Sequence, residues 1–325
     1  MTSKRDLVVG VAVVAASIGT VVVSVIVPGT ASGTGLVLGA AGAPIGVLLV
    51  VRARTGPWGR EPRAAVGGGL VGPVVAVASH ALVAAFAYAF FLGFAETGRG
   101  LLDALRVDPR VQELLGSPWV IVLMVDLAVV APLTEEAGKA LGAFWFGRPK
   151  DRREAFLAGA AAGTGFAVVE NVLYAGLASA FGGPWQAVVL ARTLGAAVHP
   201  LASGLVAVGV HEGRRGGAGA AIRGFGAGAG VHALWNGSLV VLVVAATVTP
   251  GGDRTPAELV QLAFSAALGA VLGAVLWIRA GGAAAPQREP TWTRAALAAW
   301  ILLCAAVLVP VVVIVLAFPS FYPGS

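Results

Sequence analysis

Apolar runs of about 20 residues, separated by short polar and mostly basic connections, recur along nearly the whole chain. A helix rises 1.5 Å per residue, so about 20 residues cross a hydrocarbon core roughly 30 Å thick. The pattern predicts nine crossings, at 7–27, 31–51, 66–94, 118–147, 155–180, 186–211, 222–248, 259–278 and 295–318. The first follows Lys4 and Arg5 as a secretory leader would. Its apolar stretch exceeds the roughly 7 to 15 residues of a leader's core, so a retained helix is expected. The expected fold class is all-α, a polytopic transmembrane helical bundle of about nine helices. The longest connection, 95–117, sets Leu101, Leu102, Leu105, Val111, Leu114 and Leu115 among charged residues. It is expected to form a short interfacial helix or a plain polar loop.

Composition fits this reading: 58% of residues are hydrophobic and 12% charged, where soluble domains carry roughly 25% charged residues. A net charge of +6 would admit a nucleic-acid partner, but the basic residues lie in short loops beside the spans. Topology accounts for them, and no nucleic acid is expected. With the N-terminus inside, sixteen fall on the cytoplasmic side: Lys4, Arg5, Arg52, Arg54, Arg60, Arg63, Arg148, Lys150, Arg152, Arg153, Arg214, Arg215, Arg223, Arg279, Arg288 and Arg294. Only Arg99, Arg106, Arg110 and Arg254 fall outside. Because cytoplasmic loops retain Lys and Arg, a cell-membrane protein with N-terminus cytoplasmic and C-terminus outside is expected. Cys304 is the only cysteine, which precludes an intramolecular disulfide. Glycines spaced by four, at Gly35/Gly39, Gly138/Gly142, Gly159/Gly163 and Gly226/Gly230, would let helices approach closely in lipid.

Ionisable residues inside the spans are unevenly distributed. Leaving aside residues at span ends, spans four to seven hold Asp126, Glu135, Glu136, Lys139, Glu170, Arg192, His199 and His232, and the other spans contribute only His80. A charge at mid-membrane costs about 2.5–3.5 kcal/mol on insertion scales, so such a group needs mutual pairing or a watery cavity. Measured along each helix from its cytoplasmic end, Glu135, Glu170, His199 and His232 lie at depths agreeing within ~7 Å. Alternate helices run in opposite directions, so this agreement predicts one site. Lys139 can meet Glu135 four residues away or Glu136 three away. The adjacent glutamates point ~100° apart, so one is expected to face a cavity and the other to anchor Lys139 or a neighbouring helix. His232 shares a face with Asn236, and Arg192 with His199 and Ser203.

Four motifs stand in order, each on its own span: Glu135-Glu136-Ala137-Gly138-Lys139, Phe166 to Glu170-Asn171, Arg192 to His199 to Ser203-Gly204, and His232 to Trp235-Asn236. Together they resemble the PrsW family of membrane-embedded proteases, over roughly residues 118–240. That family is related to the CAAX prenyl proteases and bacteriocin-processing membrane enzymes. From those wider relatives this chain departs by carrying Lys139 four places after Glu135, and Glu170 where they carry a histidine; both departures match PrsW. The resemblance implies cleavage of a membrane-anchored protein, typically an anti-sigma factor, and hence a part in signal transduction. It divides the chain into helices 1 to 3 with their outer loop (1–117), a four-helix catalytic core (118–248) and helices 8 and 9 (249–325).

Peptide hydrolysis requires an activated water, a stabilised oxyanion and a proton for the leaving amine. The expected catalytic residues are Glu135, Glu136, Glu170, His232 and Asn236, with Glu135 or Glu136 taking the water proton beside Glu170, and His232 and Asn236 donating to the oxyanion. Lys139, Arg192, His199, Asn171 and Phe166 are expected to support them. A second form of the site has zinc on His199, His232 and Glu136. The HExxH pattern of helical zinc proteases is missing, since His211-Glu212 continues Gly213-Arg214-Arg215, and so is a GxSxG nucleophile elbow. A proton- or ion-coupled transporter is the alternative function, because acidic and histidine residues at mid-depth also line ion pathways.

Asn171 and Ser203 are expected to make helix-to-helix hydrogen bonds, His80 to be a satisfied core histidine, and Asp126 to pack or cap. His211 and Glu212 should be solvated at a helix end. Trp58, Trp119, Trp185 and Trp292 near span ends read as interfacial anchors, and Trp235 as a wall of the pocket.

Overall fold

The computed structural model describes residues 2–27, 33–55, 60–104, 112, 117–180, 185–248 and 255–283, and among these the chain forms nine helices and no strand. Helix α1 is Thr2–Ile26, α2 Gly33–Thr55 and α3 Glu61–Ala104. Helix α4 (118–147) joins Pro118–Val125 to Ala131–Gly142 through a π turn at Asp126–Val130, and closes with a second at Ala143–Gly147. Then come α5 (Arg152–Ala180), α6 (Trp185–Leu194), α7 (Val198–Gly216), α8 (Ala218–Val248) and α9 (Thr255–Ala283). Five helices among the described residues, α1, α2, α3, α5 and α9, are long and apolar enough to cross a membrane; counting α6 with α7 as one bent span makes six. The expected ninth span, 295–318, with Cys304, lies outside the described residues.

Two expected elements differ. The apolar pattern predicts one helix over 186–211 for the sixth span, but the chain turns at 195–197 and bends by 45° between α6 and α7. Pro200 explains the place: it has no N–H to give the carbonyl of Ala196, and its ring would clash with that carbonyl in a straight helix. In the first turn of α7 the same proline costs little, because those N–H groups have no intrahelical partner. The second difference is α3. It continues as helix through Ala104, 44 residues in all, or ~66 Å, so the connection expected from residue 95 begins as helix.

Small residues set the packing. Gly159 and Gly163 of α5 lie against the carbonyls of Ser203 and His199 on α7, so that a Cβ at either position would overlap backbone. Gly138 and Gly142 of α4 stand against Gly72 and Gly67 of α3 in the same way. Gly226 and Gly230, equally spaced in sequence, face open space, so their spacing has no packing role. The apolar core runs through Val47, Leu157, Val189, Leu194, Val198, Leu201 and Trp235, between α2, α5, α6, α7 and α8. Within the spanning windows 67% of α5 is buried but 11% of α3, so α5 is central and α3 turns its apolar surface outward. Exposed Val74, Val77 and Phe86 on α3 fit contact with acyl chains.

Basic residues from distant parts of the sequence gather at one end. Arg52 pairs with Asp6 at 3.0 Å, Arg153 donates to the Thr55 carbonyl, and Arg152 Nε lies 3.2 Å from Glu212. Arg215 reaches the Lys150 carbonyl at 3.0 Å, and the Arg54 guanidinium lies 5.3 Å from the Trp277 ring centroid. The ends of α2, α7 and α9 and the starts of α1 and α5 therefore share one face of the bundle. Sequence alone placed these residues on one side of the membrane.

Candidate active site

The Ala131–Gly142 segment of α4 carries Glu135, Glu136 and Lys139 into the middle of the bundle, immediately after the first π turn. Lys139 is fully buried. A buried ammonium must spend its protons on protein acceptors, and three are in place. Its Nζ donates to Glu136 Oε1 at 2.8 Å and Glu135 Oε2 at 3.2 Å, and lies 2.8 Å from His199 Nδ1 of α7. The Phe166 ring of α5 covers it at 4.0 Å, adding a cation–π contact.

The two glutamates are not equivalent. Both oxygens of Glu136 are engaged: Oε1 with Lys139 and with His232 Nδ1 of α8 at 3.1 Å, and Oε2 with the Ser203 hydroxyl at 2.7 Å. Its side chain is inaccessible. Glu135 uses one oxygen, Oε2, toward Lys139 and, at 3.8 Å, His232 Nε2; its Oε1 has no partner among the described residues. Both glutamates meet Lys139, but Glu136 is the more fully engaged and Glu135 keeps one oxygen without a partner among the described residues.

Glu170 on α5 completes the cluster. It forms an ion pair with Arg192 of α6 and accepts from His199 Nε2 at 2.9 Å. Because His199 Nδ1 accepts from Lys139, the ring proton belongs on Nε2. The His199 and His232 rings meet edge to face at 4.7 Å between centroids. Arg192 also donates through Nε to Asn171 Oδ1 at 2.7 Å, and the Asn171 amide in turn holds the Ala40 carbonyl of α2 at 3.2 Å. The bend at 195–197 lets α6 and α7 present Arg192 and His199 to the same carboxylate from two directions. Glu135, Glu136, Lys139, Phe166, Glu170, Asn171, Arg192, His199, Ser203 and His232 therefore meet in one place, as the common depth predicted.

Other singled-out residues lie apart from this cluster. Asn236 Nδ2 donates to the Leu127 carbonyl in the first π turn at 3.0 Å. That turn offsets the helical ladder, and Asn236 spends one of its two amide hydrogens on a carbonyl there. His211 is buried, not solvated, and its Nε2 has no hydrogen-bond partner among the described residues; Glu212 beside it pairs with Arg152. Trp185 is buried in the core rather than anchored at an interface, while Trp235 packs over Gly195 at the bend. His80 of α3 and Asp126 of the π turn pair at 3.0 Å. Each is the lone ionisable group in its part of an apolar span, a signal that each needed a distant partner.

The defining pattern of the PrsW family intramembrane metalloproteases matches residues 77–268, more than half of the 325-residue chain. The chain belongs to the PrsW family. No curated relative and no solved structure matches it. This PrsW protein is a multi-pass membrane peptidase whose substrate is a membrane-embedded protein, which sets the transporter alternative aside. The match reaches beyond 118–240 on both sides and takes in the His80–Asp126 pair.

A metal is implied by the family's description, and the donor set fits one. Glu135, His199 and His232 bring one ligand atom each within 4.8 Å of one another, and two histidines with a glutamate are a common catalytic zinc set. His232 turns its Nδ1 to Glu136, the outer support that orients a metal-binding imidazole; His199 has Nε2 on Glu170 and Nδ1 on Lys139, so it could serve as a ligand only by giving up its contact with Lys139. The carboxylate in reach is Glu135, where Glu136 was expected, because Ser203, His232 and Lys139 already saturate Glu136.

Proposed function

We propose that this cluster hydrolyses a peptide bond in a membrane-anchored protein, with Glu135 as the residue that handles the water proton. The observation that carries the reading is the asymmetry of the adjacent glutamates: Glu136 is saturated, whereas Glu135 keeps Oε1 free of any partner among the described residues. Water attacks the carbonyl carbon as its proton passes to Glu135. The C–N bond then breaks, and the Glu135 carboxyl returns the proton to the leaving amine. His232 Nε2 lies 3.8 Å from the other oxygen of Glu135, Oε2. In the metal-free form His232 presents Nε2 to the oxyanion, and Glu136 on Nδ1 supplies the counter-charge.

Lys139 and Arg192 keep Glu136 and Glu170 ionised and fixed, and Phe166 shields the ammonium from lipid. Asn236 acts as a positioning residue, tying α8 to the π turn from which the glutamate segment starts. In a metal-loaded form, zinc held by Glu135, His199 and His232 would supply a Lewis acid at the water and the oxyanion, taking over the roles that Glu135 and His232 have in the metal-free form.

The basic end faces the cytoplasm of a cell-membrane protein, since retained loops are rich in Lys and Arg. Regulatory cleavage of an anti-sigma-factor-like substrate agrees with the PrsW kinship. Reconstitution in liposomes with tagged single-pass substrates tests the reading. Wild type should cleave, and Glu135→Ala, Glu136→Ala, Glu170→Ala and His232→Ala should not. Undiminished cleavage by all four variants would remove the site; cleavage surviving only in Glu135→Ala would move the base to another carboxylate.

A further inference from the structure

Away from the carboxylate cluster, a cavity of about 420 Å³ opens at the basic end between α5, α7 and α9, within the roughly 300–1,000 Å³ usual for ligand sites. Phe156, Leu205, Val208, Val275 and Ile278 make its walls, and Arg152 and Arg279 are its only charged lining residues. Arg152 begins α5 and Phe156 lies one turn inward; Arg279 lies near the end of α9 and Val275 one turn inward. The backbone of each arginine thus stands one helical turn, ~5.4 Å, nearer the bundle end than an apolar residue on its own face. Arg279 is exposed and makes no ion pair among the described residues. Arg152 has only Glu212, in a pair whose side chains are 69% and 43% exposed.

We propose that this cavity binds an anionic diacyl phospholipid, with one acyl chain along Phe156, Leu205, Val208 and Val275 and the phosphate between Arg152 and Arg279. Charge selects the headgroup: the mouth presents two guanidiniums at an end already rich in Arg54, Arg153 and Arg215, and basic pockets between membrane helices suit anionic headgroups. The walls select the chain, because a free phosphate gains nothing from five apolar side chains. The Arg54 guanidinium lies over the ring of buried Trp277 at the same helix end, which adds a further cation near the mouth. The chain would lie on α7, on whose other side His199 and Ser203 enter the cluster, and Phe156 of the cavity wall packs against Gly204 of that helix.

Native mass spectrometry of the delipidated full-length protein tests this with phosphatidylglycerol, phosphatidylcholine of the same chains, and inorganic phosphate as a chainless probe. Phosphatidylglycerol should be retained about tenfold better than phosphatidylcholine. The double variant Arg152→Gln/Arg279→Gln should erase that preference, and Val275→Trp should weaken retention of both lipids. Arg223→Gln, an exposed arginine of α8 outside the cavity lining, should leave both unchanged. Unaltered preference in the double variant, or displacement of the lipid by inorganic phosphate, would overturn the proposal. Both arginines of the double variant are solvent-exposed, so that arm stands even where the tryptophan variant does not fold.

Discussion

At mid-bundle, three carboxylates and two cations from α4, α5 and α6 face one another with side chains at most 20% exposed, while at the basic end Arg152 and Glu212 pair at 69% and 43% exposure. The two regions carry similar chemical groups to different ends. Buried charges are tolerable only when each is answered, so removing one partner strands another and costs about 3–5 kcal/mol. Exposed pairs remain hydrated either way and are worth about 0–1 kcal/mol. The cluster's arrangement is therefore fixed by its own desolvation, and the basic end is left free to attract anions.

The largest expected effect follows directly. Glu136→Ala should lower stability by about 3–5 kcal/mol, because Lys139 and His232 lose the carboxylate they share, and should abolish cleavage as well. Thermal unfolding in detergent measures the first and the liposome assay the second. A variant as stable as wild type would show that the cluster is not held together by mutual neutralisation.

Glu135→Gln sharpens the contrast inside the cluster. The amide can still accept from Lys139, so unfolding should shift far less than for Glu136→Ala. Cleavage should nevertheless fall about 10²–10⁴-fold, the usual contribution of a general base. Equal loss of stability in the two variants would erase the distinction between anchor and base.

Much of this division was legible in the sequence. Helix α4 occupies 118–147, the bounds that the apolar pattern assigns to the fourth span. The convergence of Glu135, Glu170, His199 and His232 follows from counting residues along alternately directed helices, since depth depends on nothing else. Helical period puts ~100° between Glu135 and Glu136 but not which faces inward, because that depends on where α7 and α8 bring Ser203 and His232. Pro200 marked the break in the sixth span, yet an unbroken apolar run concealed it. Asn236 could not be placed: its partner is a carbonyl displaced by a π turn, and no residue type in 126–130 announces that turn. His211 was misread because it adjoins solvated Glu212 and two arginines, and burial at a helix end depends on what packs over it.

Metal removal tests the same asymmetry from the ligand side. Thorough chelation should abolish cleavage, and added zinc should restore it. His199→Ala and Glu135→Ala should each lower bound zinc per protein by about 10-fold or more, since each deletes one of three ligands. Full activity in metal-free protein would leave Glu135 and its hydrogen-bond partners to activate water unaided.

Backbone contacts position the cluster too, with a smaller expected effect. A Cβ at Gly163 would overlap the His199 carbonyl, and overpacking of this kind costs about 1–3 kcal/mol. Gly163→Ala should therefore lower both stability and cleavage by pushing His199 from Glu170 and Lys139. Gly226→Ala is the matched control. It meets nothing within 4 Å and should be neutral or stabilising by up to about 1 kcal/mol through helix propensity.

The smallest effect belongs to the basic end and closes the comparison. Glu212→Gln leaves Arg152 exposed and hydrated, so stability should change by less than about 1 kcal/mol and cleavage hardly at all. Screening adds a second signature: whatever the Arg152–Glu212 pair contributes should fade as salt approaches 1 M, where the Debye length is about 3 Å. The Lys139–Glu136 contact is sealed from solvent, so the stability lost in Glu136→Ala should be the same at low and high salt. Unfolding both variants across a salt series therefore separates charge held by burial from charge held at a surface. Matching salt dependences would mean that ions reach the cluster, and that its neutrality is maintained by solvent rather than by the fold.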